Sequence, residues 1–519
     1  MNALLFMTGT QIPRNEHDVI IVGAGVAGAA LATVLARDGR RVLAIERDLR
    51  EPDRIVGELL QPGGCAKLRD LGLEAALEGI DAQQVFGYGL FLEGRRSCIE
   101  YNEACREPKN AKAAEQPLLL GRSFHNGRFV RRLRELAQAE PNCELVEGVV
   151  TELLFDARPG QRPPRVVGVV YRAGTSSTEQ RVAYAALTIA CDGCASRLRK
   201  QALPSAQHQV PSNFVGLILT ECSLPFPGHG HVVLTDRAPV LFYPISSSEV
   251  RCLVDVPGGK LPLDANGRQM DLRTYMEQVI GPQIPEPLQH PFLTAVAKED
   301  FRSMPNRVMP ARPLALKGAI LLGDSFNMRH PLTGGGMTVA LSDVALIRRF
   351  LRLIPDLHDD EALRFHLELF YRNRRPLSAT INILANALYG ILCGSPERAR
   401  KDMRHAFLDY LQLGGRCAAD PIRMLGGLEP SPSLLVAHFF AVAVFGCGRV
   451  LLPVPTPARL AKAWDLFCTA FNIAKPLIDG EGVTPLAYIP VSRIPAGSGW
   501  LICTVFVTLA IFIGYTWIR

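Results

Sequence analysis

The sequence lacks the marks of several protein classes. Its 519 residues hold no internal repeat and no low-complexity tract, and glycine and proline stay near ordinary usage, which excludes a collagen and a disordered tail protein. The 13 cysteines show no dense, regular spacing, so a small secreted disulfide framework is excluded and a reducing compartment is expected. No block of Lys and Arg interleaved with aromatics is present, and 57 basic against 50 acidic residues leave a net charge of only +7. That mild excess argues against nucleic acid as a partner and suits an anionic cofactor or a phospholipid surface. No Ser-His-Asp order and no metal-ligand cluster stands out, so no metal is expected. The stretch from Met1 to Gln11 is too short to span a bilayer and lacks the features of a signal peptide.

With 48% hydrophobic residues, the chain is long enough for two to four folding units at roughly 150 residues each. From Asp18 a strand-turn-helix pattern begins, and βα alternation continues to about Leu73. Residues 100–116 are polar and read as a surface insertion. Between Asn213 and Val256 apolar and polar residues alternate in short runs, the habit of an antiparallel sheet. From Thr338 the pattern is helical, with periodic stretches over 362–374 and 377–392. Two apolar stretches follow. Residues 433–448 are compatible with a membrane span, a re-entrant hairpin or a buried core helix. Residues 500–518 carry no charge over 19 positions and have Trp500, Tyr515 and Trp517 near their ends, as a membrane helix would, with a buried terminal helix as the alternative.

Three elements carry chemistry. In the first, a β-branched run from Asp18 leads into Gly23-Ala-Gly25-Val26-Ala27-Gly28, then a helix, then a second apolar run ending at Glu46. Gly23 permits the tight turn, Gly25 the approach of a pyrophosphate, and Gly28 close helix–strand packing, while the helix N-terminus offers free N–H groups. Glu46, 18 residues past Gly28, can accept from the ribose hydroxyls of an adenosine. This fingerprint does not distinguish FAD from NAD. The second element is a strand running into Cys191-Asp192-Gly193-Cys194. Zinc would need two more ligands and a redox pair a different context, so Asp192-Gly193 is read as the functional unit and the cysteines as packing residues. The third is a strand ending in Gly323-Asp324, followed by Gly334-Gly335-Gly336-Met337 and a helix. Asp324 can bind a ribityl hydroxyl, and the glycines let N–H groups at the helix start face a flavin. His330, between Arg329 and Pro331, reads as a hydrogen-bonding residue of a fixed turn.

The order of these elements resembles the aromatic-hydroxylase type of flavin-dependent monooxygenases. Longer strings strongly resemble the squalene epoxidase family: Glu46 to Gly64, Gly323 to Asp343, Asn382 to Tyr389, Arg302-Ser-Met-Pro305 and Ser246 to Arg251. The likeness covers about residues 17–450. It implies an α/β fold with an FAD-binding Rossmann-like domain of the glutathione-reductase/aromatic-hydroxylase type, a β-sheet substrate domain and a C-terminal helical, membrane-associated region. The expected divisions are 17–99, 117–200 and 301–345 for the FAD domain, 201–300 for the sheet domain and 346–519 for the helical region.

The resemblance further implies epoxidation of squalene to (S)-2,3-oxidosqualene in sterol biosynthesis, with FAD, O2 and a flavin hydroperoxide. Electrons would come from a separate NADPH-dependent flavoprotein reductase, in keeping with the single dinucleotide fingerprint. Location would be a membrane, that of the endoplasmic reticulum, with membrane lipid as a partner. Implied FAD contacts are Val26, Ala27, Glu46, Arg47, Arg54, Arg134, Val150, Asp324 and Met337. Tyr88, in Phe86-Gly-Tyr-Gly, matches the family's active-site tyrosine, with Gln61 as hydrogen-bond partner. An apolar pocket around Leu241, Phe242, Tyr243 and Pro244 would exclude water and hold the alkene. The start of the chain close to the FAD domain, the 500–518 segment, the 100–116 stretch and Cys194 depart from the family pattern. Two other readings stay open: a flavin monooxygenase of another lipid or quinone, and a non-catalytic FAD-binding lipid escort.

Overall fold

The computed structural model describes residues 6–7, 17–102, 119–156, 164–174, 179–203, 207–263, 267–314, 316–394 and 397–482. The 500–518 stretch and most of the 100–116 insertion lie outside the described residues.

The first layer is a parallel sheet. His17–Val22 pairs on one side with Val42–Glu46 and on the other with the end of Gln180–Ala190. Ala319–Leu321 and the start of Cys143–Asp156 complete its edges. These strands read as continuous apolar runs because both faces are covered. Val19 and Ile21 point into one core beneath the helices Val26–Arg37 and Gly336–Leu351, whereas Ile20 and Val22 point into another. That second core lies under an antiparallel meander formed by the rest of Cys143–Asp156, Arg165–Ala173 and the start of Gln180–Ala190.

A second, seven-stranded sheet has the order Arg302–Val308, Gln209–Thr220, Glu249–Pro257, Pro239–Pro244, His229–Leu234, Gly87–Leu92, Arg95–Glu100. The alternation between Asn213 and Val256 yields antiparallel pairs, as its period requires. One pair is parallel: His229–Leu234 against Gly87–Leu92, whose hairpin comes from far earlier in the chain. One face of this sheet is closed by helix Glu286–Ala297 through Leu288 and Phe292. The opposite face meets the C-terminal helices and the glycine loop in a separate apolar cluster.

The C-terminal part is helical. The two periodic stretches at 362–374 and 377–392 are one 33-residue helix, Asp360–Leu392, which runs through Pro376. Proline forfeits one backbone hydrogen bond. Contacts on both sides offset that loss: the buried Arg374–Asp343 ion pair (2.9 Å) before it, and the run from Ser378 to Ala385, all buried, after it. Helices Arg398–Gln412, Arg416–Leu425, Pro432–Leu451 and Pro457–Glu481 follow. Pro432–Leu451 is the one helix among the described residues long and apolar enough to cross a membrane, with only 33% of its most apolar stretch buried. His438, near the middle of its apolar run, faces inward: it meets the Tyr410 hydroxyl at 2.8 Å and the Asp420 carboxylate at 3.1 Å.

Candidate active site

At the end of His17–Val22 three backbones crowd together. Gly23 N–H donates to the Ile45 carbonyl (2.8 Å) and Cys191 N–H to that of Val22 (2.7 Å). Gly23 has φ +93°, and a Cβ there would lie 2.6 Å from the Cys191 carbonyl oxygen. A Cβ on Gly28 would lie 1.9 Å from the Gly23 carbonyl. Both positions bar any larger residue, and Cys191 serves as packing against the turn. Gly25 instead borders open space. Helix Val26–Arg37 starts there with no side-chain cap and no acidic residue in its first turn, although Ser196, Asp359, Ser431 and Thr456 cap helices elsewhere. Its first N–H groups, at Val26, Ala27 and Gly28, thus have no intrahelical acceptor and carry the positive end of the helix dipole.

Glu46 closes the turn, its Oε2 accepting from Ala24 N–H at 2.7 Å. Arg134, on helix Asn126–Gln138, is buried and donates to the carbonyls of Ala24 (2.8 Å), Asp48 and Arg50 (both 3.1 Å). Its guanidinium is committed mostly to backbone and holds the fingerprint turn against the segment after Glu46. Burial lowers its pKa, with Glu46 at 3.5 Å opposing that. Arg47 and Arg54 are exposed beside this turn. Val150 is buried in the core under the meander, where Cys143–Asp156 leaves the parallel sheet.

The other two chemical elements converge on the same strand ends. Asp192 follows Gln180–Ala190; its Oδ2 accepts from Arg197 N–H at 3.0 Å, while Oδ1 is buried with no hydrogen-bond partner among the described residues. Burial raises its pKa. Asp324 follows Ala319–Leu321 and is exposed, because Ser325 Oγ anchors the turn to the Ala190 carbonyl (2.6 Å) and leaves the carboxylate outside. Helix Gly336–Leu351 begins with no side-chain cap and no acid in its first turn. Gly336 borders open space, Gly335 packs against Ile381, and Met337 is buried. Two open helix N-termini, the carboxylates of Glu46 and Asp324, and an unpartnered Asp192 oxygen are donors and acceptors of the kind a flavin dinucleotide needs. The residues fit such a group.

Facing this side is Tyr88, on Gly87–Leu92 of the second sheet. Gln61, the residue preceding helix Pro62–Asp70, is fully buried and donates through Nε2 to the Tyr88 hydroxyl and to the Thr333 carbonyl (2.7 Å). Gln61 Oε1 accepts from the Tyr101 hydroxyl at 2.6 Å. Burial raises the pKa of Tyr88. Gly63, two residues on, lets the helix start approach the C-terminal region: its N–H bonds the Gly426 carbonyl at 2.8 Å, and a Cβ would meet the Gly427 carbonyl at 2.5 Å.

The four expected pocket residues do not share one face. Leu241 and Tyr243 lie in the apolar cluster with Tyr88 and Leu332. Phe242 points the other way, among Phe292 and Leu288 beneath helix Glu286–Ala297, which removes it from that cluster. The strand's two-residue period forces this separation. Pro244 ends the strand, half-buried. The Tyr243 hydroxyl donates to Glu58 Oε2 (3.1 Å), and Arg251 clasps the same carboxylate through Nε and a terminal nitrogen, both at 2.9 Å. Burial works against the Arg251 charge, but Glu58 outweighs it and raises its pKa.

Glu58, Arg251, Tyr101 and Thr333 carry no role in the sequence reading. Glu58, Arg251 and Thr333 sit inside strings that resemble the family, which is a signal of sorts; Tyr101 lies at the start of the polar insertion and has none. His330 is a hydrogen-bonding residue, fully buried: Leu332 N–H donates to its Nδ1 (3.3 Å), and its Nε2 faces Ser212 Oγ at 3.0 Å. Tyr389 stacks on it at 3.9 Å and donates to Asp255 at 3.1 Å.

The squalene epoxidase family model matches residues 184–463. A squalene epoxidase of Arabidopsis thaliana is 51% identical over 91% of this chain and 86% of its own length. A squalene monooxygenase of Panax ginseng is 52% identical over 92% and 86%. Among solved structures, a variant of Klebsiella pneumoniae HpxO complexed with FAD covers 79% of this chain and 99% of its own, with a TM-score of 0.58 and 18% identity, which speaks to the fold alone.

Proposed function

The chain belongs to the squalene epoxidase family, and from that premise we propose how its own residues epoxidise squalene with O2. The observation that carries the proposal is the buried junction at Gln61, where the segment after the fingerprint, the second sheet (Tyr88) and the glycine loop (Thr333) meet through one amide.

The cofactor is FAD. The open N-terminus of Val26–Arg37, with Gly23, Gly25 and Gly28, would hold its pyrophosphate, Glu46 would accept from the adenosine ribose, and Arg47 and Arg54 would flank it. Val150 lies beneath this end. Asp324 would accept from the ribityl hydroxyls, Asp192 would offer its unpartnered oxygen, and the N–H groups at Gly335, Gly336 and Met337 would donate to the flavin. The flavin, when bound and reduced, supplies the electrons that activate O2 for transfer of one oxygen atom to the alkene. An NADPH-dependent flavoprotein reductase supplies the two electrons, and the second oxygen leaves as water.

The protein adds no base for the alkene. Leu241, Tyr243 and Leu332 make a dry wall that excludes water and positions the terminal double bond. Tyr88, kept protonated by burial and oriented by Gln61, holds a hydroxyl proton at the reacting end. Pro432–Leu451, most of whose apolar residues are only half-buried, lies at a membrane and gives insoluble squalene its route of entry.

The test is turnover of purified, detergent-solubilised protein with squalene, FAD, NADPH and a flavoprotein reductase, with 2,3-oxidosqualene followed by mass spectrometry. Epoxide that vanishes when the reductase is omitted is expected. Flavin-loaded protein that consumes NADPH without forming epoxide would overturn the proposal.

A further inference from the structure

The Gln61 amide has its donors and acceptor spoken for. Thr333 offers a carbonyl, which only accepts, so the amide nitrogen must face it; the second N–H then goes to the Tyr88 oxygen. What remains is Oε1, fully buried, and its partner is the Tyr101 hydroxyl at 2.6 Å. Tyr101 is 1% exposed, and its ring meets that of Tyr88 edge-on at 6.0 Å. Burial, and then the neighbouring Tyr88, push its pKa well up, so Tyr101 stays a donor. Its backbone is equally constrained. Tyr101 N–H bonds the Phe86 carbonyl at 2.9 Å, and the next side chain, Asn102, clasps both the N–H (3.0 Å) and the carbonyl (3.3 Å) of Leu119. Tyr101 is thus fixed at the root of the polar insertion and reaches inward.

We propose that Tyr101 is a positioning residue for epoxidation: by donating to Gln61 Oε1 it locks the amide in the orientation that donates to Tyr88, leaving Tyr88 its own proton to give. The proposal rests on the reading of Tyr88 and Gln61 above. Without the Tyr101 hydroxyl, Oε1 is buried with no donor, and the amide gains by swinging toward any other one.

The experiment compares Tyr101→Phe, Gln61→Leu and the double variant in the full chain loaded with FAD. Tyr101→Phe should keep its flavin absorbance and a squalene KM within about twofold of the parent, while kcat falls about tenfold. Adding Tyr101→Phe to Gln61→Leu should lower kcat by no more than about twofold, because Tyr101 acts chiefly through Gln61 and only secondarily by its direct contact with Tyr88. A merely structural tyrosine would give independent, multiplying losses, and that result overturns the proposal. So does unchanged kcat in Tyr101→Phe when Gln61→Leu is slow. Unchanged kcat in both variants would instead refute the role given to Gln61, and the proposal with it. Should Tyr101→Phe not fold, 4-fluorophenylalanine at position 101 fills the hydroxyl's space without a proton to donate and must show the same fall in kcat. Full activity there overturns the proposal too.

Discussion

The Glu58–Arg251 pair offers the sharpest test of how the two sheets are joined. Glu58 is 1% exposed and Arg251 6%, and the carboxylate takes two hydrogen bonds from Arg251 at 2.9 Å plus one from Tyr243 at 3.1 Å. Replacing one partner strands the other as an uncompensated buried charge, which costs about 3–5 kcal/mol. Arg251→Met and Glu58→Leu should each therefore lower stability by that amount. At about 2 °C per kcal/mol, the value for a cooperatively unfolding unit of roughly 250 residues, the midpoint of thermal unfolding of the unit that holds the pair should fall by about 6–10 °C. Glu58→Leu combined with Arg251→Met removes both charges and leaves only the Tyr243 hydroxyl unsatisfied, a cost of about 1–3 kcal/mol. The double variant should then unfold only about 2–6 °C below the parent, and above either single variant. Unfolding followed by tryptophan fluorescence, with flavin release recorded in parallel, reads all three. Single variants within 2 °C of the parent, or a double variant less stable than both singles, would refute the reasoning.

Other consequences are simpler to check. Asp324→Ala removes the exposed carboxylate assigned to the ribityl chain and should yield purified protein without yellow flavin absorbance; a retained flavin spectrum would cancel that role. Tyr88→Phe should bind flavin normally yet form epoxide about a hundredfold more slowly, a general-acid contribution at the small end of its usual range; unchanged turnover removes Tyr88 from the mechanism. Burial depresses the His231 pKa from 6.5 to about 4, and its Nε2 accepts from Phe226 N–H at 3.1 Å. A depressed histidine favours the neutral form on folding, so its stabilisation is complete above pH 6.5 and is lost as pH falls toward 4. The loss is about 3 kcal/mol, and His231→Gln should flatten the acid limb of a stability-versus-pH curve; an unaltered limb would rule the histidine out.

The fold was legible where a local rule governs a run of residues. Val19 to Val22 read as a strand, Gly23–Gly28 as the tight turn from that strand into a helix, and Asn213 to Val256 as an antiparallel sheet, because each depends on neighbours within a few positions. Asp192 and Asp324 were legible for the same reason: each follows a strand and precedes a helix. Two local inferences failed on tertiary grounds. The periodic stretches 362–374 and 377–392 read separately yet form one helix, since packing on both sides of Pro376 outweighs one lost hydrogen bond. Phe242 was placed in the pocket with its neighbours, although the pleat turns it to the opposite face.

The sequence alone therefore determined the chemistry available: a fingerprint turn that admits only glycine at two points, two carboxylates at strand ends, an open glycine-led helix start, and the Tyr88 and Gln61 side chains. Those properties reside in single residues and short spacings. Only the tertiary structure decided what these groups touch. Tyr101 meets Gln61 across 40 positions, Arg251 meets Glu58 across 193, and Thr333 meets Gln61 across 272. Such contacts arise when two sheets and a helical bundle close on one another, and a buried hydrogen bond between distant residues leaves no period or spacing in the chain by which it could be read.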